Sequence, residues 1–335
     1  MLSTALVFWT FSSTSYRIAA MDPREKEFPL FFLDHMKEPL RESVPLRSYS
    51  SFGIGGEADY FFRATSLIKL KSSIRLARQH SIPCYIIGGG YNLLFDDDGF
   101  RGLIIKNKAK GIKFRLKEEE IEVFSGTALA ALVQISMQEG LEGLEFLAGI
   151  PGTVGGAVFG NAGAFGESVG DFLKEAVLVD EKGEEVKVTS DYFKFRYRHS
   201  FLREKHDILL KVSFRVKKGD KQRIIKRIEE NLEKRREKHP PQETACAGSY
   251  FKNPVLPDGT KIPAGYLLEQ VGAKDLRVGG AAVFPGHSNF IINLERARAQ
   301  DVLCLAQELK ERVKEKFGIE LEEEVIFLPA CAQAP

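Results

Sequence analysis

The stretch AGIPGTVGGAVFGNAGAFG, Ala148 to Gly166, restricts what this chain can fold into more than any other. Its nineteen residues hold seven glycines and four alanines, and no Lys, Arg, Asp, Glu or His. A segment so stripped of side chains turns through positive φ or presses its backbone against a neighbour or ligand. Two shorter clusters repeat the pattern, FGIGGEAD (Phe52–Asp59) and GGGYNLL (Gly88–Leu94). A turn whose N–H groups converge makes a nest suited to a phosphate. Tight turns between strands are the plainer reading of any single cluster. Three clusters, two of them flanked by strand-like runs, weaken that reading. Neither standard nucleotide motif fits: GxxxxGK[ST] is absent, and GGGYNLL lacks the third glycine of GxGxxG and opens no long helix.

The rest of the composition narrows the class. At 335 residues the chain has room for two or three domains. It is 44% hydrophobic and 28% charged, as soluble globular proteins are. A net charge of +2 gives no global field directed at nucleic acid. The cysteines Cys84, Cys246, Cys304 and Cys331 are far apart and form no CxxC, which argues against zinc and against a disulfide framework. Cys84 and Cys304 lie in apolar context and are expected to be core thiols. The apolar run Ala5–Phe11 is too short to span a bilayer and has no basic segment before it. Residues 1–20 are therefore expected to be a tail or an upstream-start artefact. Met21 then becomes the plausible start, and Trp9 is given no role. A cytoplasmic monomer with no membrane and no nucleic-acid partner is the expectation.

Periodicity supplies the elements. Ser66–His80 places Leu67, Leu70, Ile74 and Ala77 on one helical face with Ser66 as N-cap. A short strand in IPCYII runs into Gly88–Gly90. The runs GLIIKN, IKFRL and IEVFSG read as strands, and Thr127–Gln138 as a helix stopped by Gly140. EAVLVDEKGEEVKV reads as a hairpin turning near Lys182-Gly183, and DILLKVSFRV as a buried strand. Asp220–His239 is a charged helix with Ile224, Ile228 and Leu232 inward, ended by Pro240-Pro241. From Lys217 to Lys238 there are ten basic and five acidic residues, read as a solvated face. A long helix over about Ala299–Phe317 buries Val302, Leu305, Leu309 and Val313, and EEEVIFL is a final strand.

Eight motifs in order then resemble one family. They are SSFGIGGEADYFF, IIGGGYNLLFDDDGFRGLII, GLEGLEFLAGIPGTVGGAVFGNAGAFG, YRHSFL, AGSYFKNP, AGYLLEQVGAKDLRVGGAAV, HSNFIIN and FGIELEEEV. Together, over about Ser50 to Leu328, they are similar to the UDP-N-acetylenolpyruvoylglucosamine reductases, flavin enzymes of bacterial cell-wall synthesis. The resemblance implies an α+β fold: a two-part FAD-binding region of the vanillyl-alcohol-oxidase-like type, then a C-terminal α/β substrate-binding domain. On that basis residues 21–107 and 108–219 are the FAD-binding subdomains, and 220–330 the substrate domain with its linking helix. The approximately fifty-residue gap between Arg198 and Ser249 matches the shorter subtype, without a tyrosine-bearing lid insertion. Another segment should then cover the substrate diphosphate.

The resemblance also implies chemistry. Hydride passes from NADPH to FAD and on to the enolpyruvyl methylene carbon of UDP-N-acetylglucosamine enolpyruvate, giving UDP-N-acetylmuramate. Ser249 matches the proton donor and Arg198 the carboxylate-binding arginine. Glu324 matches the third catalytic residue, with Glu322 as the second choice of register, and Glu320 and Glu323 are read as a solvated acidic run. The expected FAD contacts are Ile54, Gly55 and Gly56; Gly88, Gly89, Gly90, Tyr91, Asn92 and Leu93; and Gly149, Pro151, Gly152, Gly155, Gly156, Asn161 and Gly163. Asn253 and His287 match substrate contacts, and no metal is implied. The glycine clusters contain no His, so the FAD is expected to be non-covalent. Tyr91 stands where the family usually has Ser, and Gly160 where a larger residue, often Met, is usual. Two rivals remain at this point, an oxidase of the same superfamily and a UDP-sugar-binding protein that has lost flavin.

Overall fold

A parallel sheet core organises the first lobe. The computed structural model describes residues 23–205 and 207–331; the expected tail at 1–20, with Trp9, and the candidate start Met21 lie outside the described residues. The lobe comprises α1 (Pro23–Met36), β1 (Arg41–Pro45), β2 (Glu57–Ala64), α2 (Leu67–Gln79), β3 (Cys84–Ile87), β4 (Leu93–Phe95) and β5 (Phe100–Asn107). The sheet order is β1-β2-β5-β3, with β5 parallel to both β2 and β3. Strand β5 is buried along nearly its whole length because both faces are covered. Phe28, Phe32, Leu70 and Ile74 cover one face; Phe61, Phe95 and Ile104 pack on the other. Ser66 caps α2 as expected, its side chain accepting from Lys69 N.

The second lobe is antiparallel. It holds β6 (Ile112–Arg115), β7 (Glu120–Phe124), α3 (Leu129–Gln138), α4 (Val154–Phe159), β8 (Leu173–Val179), β9 (Glu185–Thr189), β10 (Ile208–Arg215) and α5 (Lys221–Arg236). Its strand order is β9-β8-β10-β7-β6. Helix α3 starts at Leu129 rather than Thr127, because the Thr127 hydroxyl exchanges hydrogen bonds with the Gly111 backbone. Leu132, Val158, Ile224 and Ile228 cover one face of this sheet. From the other face Val179 and Leu210 enter the core of the first lobe, so the two lobes share buried surface.

Two expectations are corrected in and around the helices. Leu232 is not inward: it is 37% exposed. The buried stripe of α5 runs Ile224, Ile228, Asn231, as 3.6 residues per turn requires. The Asn231 amide donates to Glu145 O at 3.1 Å. The buried residues of α5 therefore pack in the second lobe. Cys304 is exposed rather than a core thiol, because it lies off the face of its helix that carries Val302, Leu305 and Leu309. Cys84 is half-buried, and burial pushes its thiol pKa up.

The C-terminal domain contains α6 (Ala264–Gln270), β11 (Arg277–Val278), β12 (Ala281–Val283), β13 (Ile291–Asn293), α7 (Ala299–Phe317) and β14 (Ile326–Leu328). Strands β11-β12-β13 form an antiparallel sheet covered by α7. Gly318, at φ +67°, ends α7. Phe52, Ile54 and Leu94 of the first lobe are buried in this domain's core. Strand β14 leaves the domain and pairs in parallel with β4, Ile326 beside Leu93 and Leu328 beside Phe95. No described helix is long and apolar enough to cross a membrane.

A cap across this boundary reinforces the docking. Asp97, just after β4, accepts from Ala299 N at 2.9 Å and from Gln300 N at 3.3 Å. These are otherwise orphaned donors of the first turn of α7. Asp97→Ala is expected to remove about 1 kcal/mol of stability, as loss of an N-cap does. The check is an earlier unfolding transition in urea, with Asp97→Asn retaining most of the wild-type midpoint.

Candidate active site

A two-residue turn presents the candidate carboxylate-binding arginine. Arg196 and His199 exchange both backbone hydrogen bonds, leaving Tyr197 and Arg198 at the tip. Arg198 has φ +55°, in the left-handed region that favours glycine. Holding a non-glycine residue there costs on the order of 1 kcal/mol and persists only where surroundings enforce it. Asn161 provides part of that enforcement. Its Nδ2 donates to Arg196 O at 2.9 Å, and its Oδ1 accepts from Gly170 N at 2.9 Å. The Asn161 side chain is thus committed to the turn.

Glu324 reaches Arg198 from the C-terminal segment. Glu324 Oε1 lies 2.8 Å from Arg198 Nε, an ion pair by distance although the N–H does not point along that line. Each neighbouring glutamate has another cation: Glu320 pairs with Lys314, Glu322 with Lys252 and Glu323 with Lys310. Of the two candidate registers, Glu324 is the one paired with Arg198, whereas Glu322 is paired with Lys252. Glu320 is solvated as expected, whereas Glu323 is largely covered in its ion pair. Ser249 is brought to the same place by backbone pairing. Glu324 N donates to Tyr250 O at 2.8 Å, and Lys252 N donates to Glu322 O. The Ser249 hydroxyl has no hydrogen-bond partner among the described residues.

The glycines divide into two kinds. At several, the missing Cβ is explained by the protein itself. A Cβ would collide with the Asp97 backbone at Gly56, with Thr153 Oγ1 at Gly88 and with the Tyr49 carbonyl at Gly90. Gly55 is packed against Phe95 and Leu46, Gly155 against Ser125 and Gly163 against Glu167. Most of these contacts lie within one lobe, and Gly88 against Thr153 is the one that lets the two lobes approach each other. Others face open space: at Gly152 nothing lies within 4 Å, and at Gly156 only Thr153 Oγ1, at 3.7 Å. Gly149 faces Arg235 and Leu232. Ile54 and Leu93 are buried among apolar neighbours, so only their backbones are available to a ligand, and Pro151 is exposed. Tyr91 folds its ring back over Gly89 and remains 46% exposed. Asn92 Nδ2 donates to Glu324 O at 3.0 Å, tying this loop to the Glu324 segment.

Charge gathers around the pair. The Nε atoms of Arg203 and Arg235 are buried without a hydrogen-bond partner. Burial pushes the Arg203 pKa down, opposed by Tyr85 and Glu324; burial and the Arg198 charge do the same to Arg235. The Arg203 guanidinium lies 5.1 Å from the Phe159 ring centre, and Gly160 leaves room beside it. Asn253 Oδ1 accepts from Ala264 N at 2.9 Å, which keeps its Nδ2 available. His287 Nδ1 accepts from Asn289 N at 3.2 Å, which puts a neutral ring's proton on Nε2, and burial lowers its pKa. Tyr197, Arg203, Arg235 and Thr153 were not singled out by sequence reasoning. Tyr197 had a signal, since it precedes Arg198 in the YRHSFL motif. Its ring carries Lys261 Nζ at 3.8 Å from the centroid, and its hydroxyl accepts from Asn253 N at 3.4 Å.

The groove fits a flavin nucleotide. The N–H groups of Gly89, Gly90 and Tyr91 have no acceptor among the described residues, as an anion nest requires. The open glycines Gly152 and Gly156 lie beside it on an uncharged segment. Residues 58–189 match the FAD binding domain family, so fold and groove define a two-lobed FAD-binding flavoprotein, α+β in class, with a C-terminal α/β domain. Residues 239–328 match the UDP-N-acetylenolpyruvoylglucosamine reductase C-terminal domain. The UDP-N-acetylenolpyruvoylglucosamine reductase of Carboxydothermus hydrogenoformans is 39% identical over 88% of this chain and 95% of its own. That of Clostridium novyi is 36% identical over 86% and 92%. The crystal structure of UDP-N-acetylenolpyruvylglucosamine reductase from Thermus caldophilus superposes with a TM-score of 0.72 at 35% identity, covering 87% of this chain and all of that one. The chain belongs to the UDP-N-acetylenolpyruvoylglucosamine reductase family.

The strain at Arg198 is measurable. Arg198→Gly and Arg198→Ala both delete the guanidinium, but only alanine keeps the cost of φ +55°. Arg198→Gly is expected to be about 1 kcal/mol more stable than Arg198→Ala. Comparing their chemical denaturation midpoints checks this, and equal midpoints would mean the turn relaxes elsewhere.

Proposed function

We propose that the protein reduces the enolpyruvyl group of UDP-N-acetylglucosamine enolpyruvate with NADPH, giving UDP-N-acetylmuramate for peptidoglycan synthesis. The observation that carries this reading is the Arg198–Glu324 pair at 2.8 Å, with the Ser249 segment hydrogen-bonded alongside Glu324. Non-covalent FAD, when bound, supplies the hydride carrier between NADPH and the enolpyruvyl methylene carbon. The backbone of Gly88–Leu93 and of Gly149–Gly156, with Ile54, Gly55 and Gly56, would hold it.

The residues then divide the work. Hydride addition to the methylene leaves electron density on the adjoining carbon and its carboxylate. The Arg198 fork binds that carboxylate and stabilises the enolate-like charge as it develops. Glu324 orients the guanidinium and can share a proton with the carboxyl. Ser249 Oγ gives its proton to the adjoining carbon. A hydroxyl with no protein partner is free to turn toward that carbon. Asn253 Nδ2 and His287 Nε2 are donors for the UDP-sugar. On this reading residues 23–107 and 108–219, with α5 packed on the second lobe, cradle the cofactor, while the C-terminal domain that follows α5 binds the substrate. The enzyme works as a monomer in the bacterial cytoplasm.

The half-reactions separate these roles. Ser249→Ala is expected to leave flavin bleaching by NADPH nearly unchanged. It should slow anaerobic reoxidation by UDP-N-acetylglucosamine enolpyruvate by about 10²- to 10⁴-fold, the range of a lost general acid. Stopped-flow absorbance of the flavin measures both steps. Equal damage to the two would assign Ser249 a structural role, and a wild-type flavin that the substrate cannot reoxidise would sink the reading as a whole.

A further inference from the structure

One buried charge is left uncompensated. Lys106, at the carboxyl end of β5, is 6% exposed. Among the described residues no carboxylate pairs with it. Its Nζ donates to Gly89 O at 3.4 Å and lies 5.6 Å from the centre of the Tyr49 ring. The other charged groups that act on it are cations, Arg63 on β2 and Lys108 just beyond β5. The Tyr49 hydroxyl accepts from Arg41. Burial, then Lys108 and Arg63, lower the Lys106 pKa to about 8. An ammonium in such surroundings destabilises a protein unless an anion arrives to compensate it.

The geometry says where that anion goes. In a planar trans peptide the C=O and the following N–H point in opposite directions. Lys106 draws Gly89 O inward, so the N–H of Gly90 points outward. Ser51 holds the next carbonyl, Gly90 O, through its N–H at 3.0 Å and its hydroxyl at 3.3 Å. The turn therefore offers the N–H groups of Gly89, Gly90 and Tyr91 to the groove, with no acceptor among the described residues. It sits at the carboxyl ends of the parallel strands β3 and β5, where open α/β sheets bind ligands.

We propose that Lys106 is a positioning residue and counter-charge for the cofactor pyrophosphate: it orients the Gly88–Gly90 nest from beneath and is compensated only when FAD binds. This rests on the reading of that turn as the FAD phosphate site. The apoprotein bears the cost of the buried ammonium, and FAD removes it.

The test compares FAD with riboflavin, which lacks phosphate, by quenching of flavin fluorescence on the full-length apoprotein. Lys106→Met is expected to weaken FAD binding at least tenfold and leave weak riboflavin binding within twofold of wild type. The Lys106→Met apoprotein should melt at or above the wild-type temperature, and Lys106→Arg should recover part of the lost affinity. For the wild type, FAD affinity should fall as pH rises through about 8 and level off above the raised pKa of the complex. That measurement needs no variant and stands if Lys106→Met fails to fold. FAD affinity within twofold of wild type in Lys106→Met, equal losses for FAD and riboflavin, or no pH dependence near 8 would each overturn the role of Lys106. Wild-type protein that binds no FAD would instead overturn the cofactor reading beneath it.

Discussion

The site depends on one residue held from three directions. The backbone of Glu324 donates to Tyr250 O in the C-terminal domain, and its carbonyl accepts from Asn92 in the first lobe. Its side chain meets Arg198 of the second lobe at 2.8 Å. The parallel pairing of β14 with β4 makes this possible, since it returns the end of the chain to the loop after Gly90. Docking of the C-terminal domain therefore also assembles the Arg198–Glu324 pair. A shift of β14 by one residue would send the Glu324 side chain to the opposite face and put Glu323 or Val325 opposite Arg198.

Close backbone approach is the second dependence. Gly88 against Thr153, and Gly89 against Gly152, let the two lobes meet with almost no side chain between them. Their shared core, with Val179 and Leu210 buried among the residues of the first lobe, makes that approach rigid. A groove that must hold a flat ring system gains from this, because its walls are main chain and cannot change rotamer. The ring of Tyr91 is the exception at the rim, folded back over Gly89.

Much of this was legible in the sequence. Ordered motifs singled out Arg198, Ser249 and Glu324, segments that the fold brings together, and periodicity found α2, the β8–β9 hairpin and α7 with their buried faces. Glycine spacing marked the turns but not their purpose, because a glycine required by a neighbouring lobe and one reserved for a ligand look alike in sequence. Leu232 was misjudged because an amphipathic stripe continued one turn too far, where Asn231 instead satisfies the Glu145 carbonyl. Lys106 sat in an apolar strand, where its charge reads as a strand-edge residue until the covering of both sheet faces is known. The left-handed φ of Arg198, the cap from Asp97 and the trans-domain contact of Tyr197 are tertiary facts, set by segments far apart in the chain.

The features that sequence reasoning missed have a common physical character. Arg198 is strained, Lys106 is buried without an anion, and Arg203 and Arg235 keep buried Nε atoms unpartnered. Each is unfavourable for the free protein, and each cationic group lies by the groove where a carboxylate or phosphate would compensate it. The net charge of +2 hides this, because the 46 Asp and Glu nearly offset the 48 Lys and Arg over the whole chain. Concentrating uncompensated positive charge in one groove gives selectivity for multiply anionic ligands without a basic exterior. A multiply anionic ligand in the groove would supply counter-charge at several of these positions, and Glu324, which meets Arg198 and acts on Arg203, links two of them.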